Sequence, residues 1–401
     1  MTTRTSFHLP LLLLISLTSS SPAWADDRFN DSLQMHGFLT QSFIITDNNN
    51  FFGKTSGDEH FGFTEAGINA SYRPRNDLQL SGQLLSRRAG DTDGGKIRVD
   101  YALIDNTFSE RPDRRIGVRL GRILNPLGLY NETRDVAFAR PSVFLPQSIY
   151  FDRNRDLAIS SDGIYFYGEN RRNRTELLWQ IGAGYPRVGN DEIERSFFLT
   201  LKPGYLESSS TPSFLGRLLL EIDGGRYLLG ISGAHARINY RPGEGDLLNE
   251  GLISFEPIIL SAQYNTEFFA LTSEYAQREF TYQGFGARQP DQSFTSESAY
   301  LQTVYRFSKA YELLLRYDAL YVDQSDRHGD AYAALTGLPG FTRYSRDATV
   351  GVGWHINHSL LLRLEYHNVV GTAWLDASDN LLPSNLAKSW EMYAGLVSFR
   401  F

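Results

Sequence analysis

The chain has 401 residues, a formal net charge of −7 and no cysteine. Mild acidity without a basic tail argues against nucleic acid as a partner. The missing thiols exclude disulfides, cysteine catalysis and thiolate metal sites.

The first residues have the layout of an export signal. Arg4 supplies the positive start, Leu9 to Leu17 an apolar stretch too short to anchor in a bilayer, and Ala23-Trp24-Ala25 a small-x-small cleavage site. The expectation is a signal peptide over 1–25, cleaved after Ala25, and one mature unit over 26–401. Beyond it no run approaches the ~20 apolar residues of a transmembrane helix. The 22 Tyr, 26 Phe and 35 Gly give a β-type composition. A mean hydropathy of −0.32 fits a soluble protein. It also fits a membrane β-barrel, in which half of each strand faces water.

In chain order, alternating segments fall at 33–46, 60–72, 77–86, 96–108 and 114–124. After a long gap come 158–169, 175–185, 195–205, 213–222 and 226–240. The rest are 252–264, 267–280, 296–307, 311–322, 346–356, 359–369 and 390–401. Period-two patterning is clear in several of them. Tyr311, Leu313, Leu315, Tyr317 and Tyr321 share a face against Glu312, Arg316 and Asp318. Leu360, Leu362, Leu364 and Tyr366 oppose Arg363, Glu365 and His367. Ile97, Val99, Tyr101 and Leu103 oppose Arg98 and Asp100. The lengths suit strands crossing a bilayer at a tilt, and aromatics at the strand ends suit interfacial girdles.

Connections such as Asn265-Thr266, Ser308-Lys309-Ala310 and Asn357-His358 are tight, whereas 281–295, 323–345 and 370–389 are long and polar. Short turns at one rim and long loops at the other are the barrel pattern; a secreted sandwich or propeller is the alternative. The expected fold class is therefore all-β, a transmembrane antiparallel β-barrel. The seventeen segments exceed an even count by one, and 195–240, with Pro203, Pro212 and Asp223-Gly224-Gly225, holds the weakest boundaries. Sixteen strands are expected, with eighteen the alternative.

The gap 125–157 mixes apolar side chains with Glu132, Arg134, Asp135, Arg140, Asp152, Arg153, Arg155 and Asp156. A loop in water has no use for Leu127, Leu129, Val136, Phe138, Val143 and Phe144. A loop folded into the lumen does, and it would narrow the pore and present its charges there. An outer loop or a subunit-contact loop is the other reading. The first seven of those charged residues are the candidate pore constriction. Arg98, Asp100, Arg119, Arg217, Arg316, Asp318, Arg363 and Glu365 fall on the polar side of their strands and are the candidate lumen wall. They either set the field across the pore or pair with one another within the wall. The balance of signs favours neither anions nor cations.

Catalysis has little support. His355 and His358 lie three apart on a strand and its turn, so their side chains diverge. His367 and Glu365 share a face that leaves a hydrolase site in the wall open, but no G-x-S-x-G elbow and no phosphate loop is present. No cofactor or metal is expected.

The C-terminal segment WEMYAGLVSFRF places Tyr393, Val397, Phe399 and Phe401 on one apolar face. With the export signal, the absence of Cys, the alternating strands and the long loop after the fifth, the chain resembles Gram-negative outer-membrane porins. On that resemblance the four residues are the family's assembly signal, read by the outer-membrane assembly machinery, and 125–157 matches the constriction loop of sixteen-stranded porins. The segment GRILNPLGLYNETRD is similar to the G-R-x-x-x-P-x-G stretch of phosphate- and polyphosphate-type porins. This loop and wall lack their Lys/Arg excess, so their substrate is not carried over. The resemblance implies a homotrimer among outer-membrane lipid and lipopolysaccharide that passes small hydrophilic solutes. A substrate-specific channel and a barrel lipase or protease are the alternatives.

Overall fold

The computed structural model describes residues 32–57, 60–152, 155–189, 191–198, 202–380 and 382–401. The expected signal peptide lies outside the described residues, as does Arg153.

The strands are β1 Leu33–Thr46, β2 Phe63–Arg75, β3 Leu78–Ala89, β4 Asp93–Arg111, β5 Arg114–Leu124, β6 Ser160–Arg172, β7 Thr175–Pro186, β8 Tyr205–Ser208 and β9 Ser213–Ile222. They continue with β10 Tyr227–Arg241, β11 Gly251–Asn265, β12 Phe269–Gln283, β13 Gln292–Arg306, β14 Tyr311–Tyr321, β15 Tyr344–His355, β16 Leu360–Gly371 and β17 Ser389–Arg400. Among the described residues three short α-helices lie in the connections: α1 Arg155–Ile159, α2 Asp191–Phe198 and α3 Asp330–Thr336. Each strand pairs antiparallel with its neighbours, and β17 returns to β1 in the register Phe38↔Arg400 to Thr46↔Met392. Beyond that ladder, Gly37 N–H donates to Phe401 O at 3.2 Å and Phe401 N–H to Gly37 O at 3.1 Å. The seam leaves no strand edge in lipid.

β8 and β9 share one wall position. β8 pairs with Ile238–Arg241 of β10, and β9 pairs with Tyr227–His235 of the same strand. Pro212, which has no N–H to give a ladder, sits in the break between them. The wall is thus a closed sixteen-strand antiparallel barrel, the lower of the two expected counts. The expected strand 195–205 is a correction: its first part is the end of α2. Ile193, Phe197 and Phe198 recur at helical spacing, and their burial against Ile238, Tyr240, Tyr282 and Phe285 outweighs the local alternation.

The lipid-facing row is apolar, with Leu315, Tyr317, Val352, Trp354, Leu364, Tyr393, Val397, Phe399 and Phe401 all exposed. A second correction concerns β4. Register slips between Gln83/Leu84 and their partners Tyr101 and Val99, so a bulge falls at Asp100. The extra residue reverses the parity. Ile97, Val99 and Ile104 face outward, while Leu103 packs on the inner cluster of Ile123, Tyr150 and Tyr165 instead of sharing the face of Ile97.

Candidate constriction and outer vestibule

β5 ends at Leu124, and the chain then turns into the barrel. Asn125 fixes the root: its Oδ1 accepts from Tyr165 Oη at 2.8 Å, and its amide donates to Ala158 O at 3.0 Å. From there to α1 the loop crosses the lumen and is bonded to walls on every side. Gly128 N–H donates to Ser232 Oγ of β10 at 2.8 Å. Glu274 of β12 accepts from Leu129 N–H at 3.0 Å, Tyr150 Oη at 2.5 Å, Tyr300 Oη at 2.9 Å and Ser261 Oγ at 2.6 Å. Arg278 donates to Ser148 O and Ile149 O at 3.1 and 3.0 Å, and Arg316 to Phe144 O at 3.0 Å. On β16, Arg363 donates to Ala137 O at 2.7 Å, and Glu365 Oε1 accepts from Val143 N–H at 2.7 Å. Between these anchors Phe144 enters an aromatic cluster with Phe51, Phe52 and Phe63, at centroid distances of 5.3 to 5.6 Å. The apolar residues of the loop therefore sit on the inner wall, which is why a polar connection carries them.

The charges divide into two groups. Arg134, Asp135, Arg140 and Arg155 are buried, with side chains 4%, 6%, 5% and 1% exposed. Arg155 pairs with Asp135 and lies 3.6 Å from Asp100 of β4. Arg140 reaches Glu65 of β2 at 3.2 Å, and Arg87 of β3 reaches Asp152 at 2.6 Å. Burial pushes the Asp152 carboxyl up, but Arg87 and Arg134 overcome it and hold it below the usual range. Asp135 likewise ends below its ordinary value, burial being outweighed chiefly by Arg155. Desolvated charges persist only with such partners. This group tethers the loop to β2, β3 and β4.

The second group keeps solvated heads inside the barrel. Glu132, 25% exposed, pairs with Arg217 of β9. Arg119, 28% exposed, holds Asp105 at 3.0 Å and stands over the Tyr167 ring at 4.7 Å. Arg98 holds Asp93 at 2.7 Å. Of the remaining wall residues, Asp100 is buried and accepts from Gln83 at 3.1 Å, and Asp318 is buried beside Ser148 of the loop. All eight wall positions lie inside the barrel.

Glu65, Arg87, Tyr150, Glu274 and Arg278 are anchors that sequence reasoning missed. For the four strand residues the signal was a charge at an inward position, visible only once the parity of each strand is fixed; Tyr150 lies in the loop itself. His367 is also buried inside the wall. Its Nδ1 lies 2.7 Å from Asp347 and 3.1 Å from Thr349 Oγ1, while Nε2 faces Glu365 at 3.3 Å. Hydroxyl and carboxylate thus flank the ring as a relay would have them, but Thr349, Asp347, Glu365 and His367 are all buried, and Thr349 Oγ1 already donates to Asp347 at 3.1 Å. Among the described residues no group of three or more His, Asp or Glu is placed to hold a metal ion.

Against the crossing loop lies a chamber of about 700 Å³, lined also by α3, by its flanks from Val322 to Arg343 and by Thr372, Leu375, Asp376, Asn380 and Leu386. Its wall is aromatic: Phe280 stacks on Phe294 at 5.3 Å, and Phe294 on Tyr282 at 6.2 Å.

No family model and no curated protein matches the chain. Solved structures do. An anion-selective porin from Comamonas acidovorans superposes with a TM-score of 0.58 at 14% identity, covering 92% of this chain and 99% of its own. The outer-membrane channel DcaP of Acinetobacter baumannii gives 0.56 at 12% identity, with 92% and 97% covered. OmpF of Salmonella typhi, in complex with daunomycin, gives 0.54 at 15%, with 93% and 99% covered. The structural neighbours are outer-membrane porins, and this chain shares their barrel fold.

Proposed function

We propose that the protein is a porin-type channel of a Gram-negative outer membrane that passes small hydrophilic solutes or ions by passive diffusion. The observation that carries this is the loop 125–157 inside a closed barrel, bonded to opposite walls and leaving solvated charges beside it. Such a segment narrows a water-filled lumen and puts fixed charge at its narrowest level. Glu132, Arg217, Arg98 and Arg119 are the selectivity elements in this reading, and Arg134, Asp135, Arg140, Asp152 and Arg155 act by holding the loop. The reading is non-catalytic: the hydroxyl beside His367 is buried among its partners, away from the solvated lumen.

Export through cleavage after Ala25, assembly through Tyr393, Val397, Phe399 and Phe401, and a homotrimeric state belong to the same proposal. OmpT of Vibrio cholerae, 12% identical with a TM-score of 0.54, is solved in a trimer form. Small outward residues of β2 to β4, Ala70, Gly82 and Ala102, leave a shallow apolar groove on which a second copy would fit.

Planar-bilayer recording of the purified protein tests the channel. Stable ohmic steps support it, and absence of conductance at every voltage overturns it. Heat-sensitive migration at three times the monomer mass supports the trimer; a monomer in mild detergent refutes it.

A further inference from the structure

The outer chamber has a chemistry that a pore for small ions does not require. One wall is a continuous run of rings, Phe255, Phe280, Phe294 and Tyr282, joined at centroid distances of 5.0, 5.3 and 6.2 Å. Two guanidinium groups border it. Arg343 lies 4.8 Å from the Tyr332 ring centroid and 6.0 Å from that of Phe294. Arg278 lies 5.7 Å from Phe151 and donates only to a hydroxyl and two carbonyls. Neither forms an ion pair with a described residue.

The carboxylates of the chamber are already engaged. Asp326 accepts the N–H groups of Tyr332 and Ala331 at 2.9 and 3.2 Å, at the start of α3. Asp323 accepts from Ser325 N–H and Oγ at 2.9 and 2.6 Å, and Asp376 from Ser378 N–H and Oγ at 2.7 and 2.5 Å. Asp323 and Asp326 act on Arg343 through space but neither forms an ion pair with it, so its guanidinium stays open to a ligand in the apolar, ring-lined space. Its volume of about 700 Å³ lies within the range of small-molecule pockets. Rings offer faces for stacking and guanidinium offers charge-assisted hydrogen bonds to a carboxylate.

We propose that this chamber is a binding site for a ring-bearing organic anion, an aromatic or alicyclic carboxylate. Its ring lies on the Phe280–Phe294–Tyr282 wall and its carboxylate meets Arg343. The site deepens the porin reading and rests on it: it concentrates such solutes above the constriction and makes the channel selective for them.

The test is equilibrium binding of 2-naphthoate, followed by its own fluorescence anisotropy, to the detergent-purified full chain. Saturable binding is expected, with 2-naphthylmethanol about tenfold weaker and acetate without competition at equal ionic strength. Arg343→Gln should weaken the acid about tenfold and leave the alcohol unchanged, while Arg343→Lys restores part of the loss. Phe294→Ala should weaken both ligands about fivefold. No saturable binding, equal affinity for acid and alcohol, or a folded Arg343→Gln protein with unchanged affinity overturns the proposal. If the variants fail to fold, the acid–alcohol comparison on the unaltered chain decides. The assay needs no conductance. A protein that conducts but does not bind refutes this site alone, and one that binds but does not conduct refutes the porin reading.

Discussion

Glu274 is the wall residue with the most to lose. It accepts two bonds from the crossing loop, from Leu129 N–H and Tyr150 Oη, and two from its neighbours Ser261 and Tyr300. In Glu274→Leu the Tyr150 hydroxyl loses its acceptor in a buried space, while Leu129 N–H keeps a second acceptor, Tyr150 Oη at 2.8 Å. A hydrogen bond to a charged group contributes about 1.5–3 kcal/mol, so the loop segment loses about that much. Because about 1.4 kcal/mol is a factor of ten, the opening equilibrium of that segment should rise by about 10–10². Hydrogen exchange of peptides covering 128–131, measured in detergent, reads this directly. Glu274→Gln keeps a carbonyl acceptor for the Leu129 N–H, and the tyrosine hydroxyls can turn to accept from its amide, so a rise of about threefold is expected. Barrel strands such as β15 should stay protected in both. If Glu274→Leu leaves exchange at 128–131 within about twofold of the unaltered chain, or speeds exchange evenly through the barrel, Glu274 is not a local anchor.

Arg155→Met leaves Asp135, Asp100 and Asp156 without their shared counter-charge. A loss of about 3–5 kcal/mol is expected, read as a lower urea midpoint; an unchanged midpoint would show that the cluster contributes no stability. Arg217→Gln frees Glu132 and should move the reversal potential in a salt gradient toward cations, while Glu132→Gln moves it toward anions. At water-like screening each charge is worth about 1 kcal/mol, at most about fivefold in permeability ratio, and shifts of the same sign in both variants would contradict the assignment. Burial lifts the Asp379 carboxyl to about 6, and Asp376 and Asp91 add to the effect. A carboxyl raised on folding favours the docked loop below the ordinary Asp range, and that contribution is lost as pH rises through about 6. Proteolysis within 376–389 should therefore speed up between pH 5 and 7 in the unaltered chain and stay flat in Asp379→Asn; equal pH profiles would refute it.

Strand positions were legible because two solvents, lipid and water, act on opposite faces of every strand. Sixteen of the seventeen expected segments are strands in the structure, and 33–46, 114–124 and 213–222 match to the residue. The exceptions have local causes. At 191–198 helical burial competes with alternation, and at Asp100 one inserted residue inverts a parity that counting by twos extends too far. The site was legible by composition but not by pairing. That the charges of 125–157 belong inside followed from their apolar neighbours. Which of them meets solvent is set by Glu65, Arg87 and Asp100, supplied by three strands that precede the loop. Charge type is written in the local sequence, and solvation is not.

The cross-lumen bonds also bear on when the barrel can mature. Val143 meets Glu365 across 222 positions, and Ala137 meets Arg363 across 226. Contacts so distant along the chain form late, because loop closure precedes any gain from them. Arg134, Asp135 and Arg155 find their partners in the loop and on β4, but until β16 is placed Ala137 O has no Arg363 to accept from and Val143 N–H has no Glu365. The interior thus sets as a final step, after the wall that encloses it. A slow phase after strand formation, altered by substitution of Arg363 or Glu365 and unchanged by substitution of Arg134, is its kinetic signature.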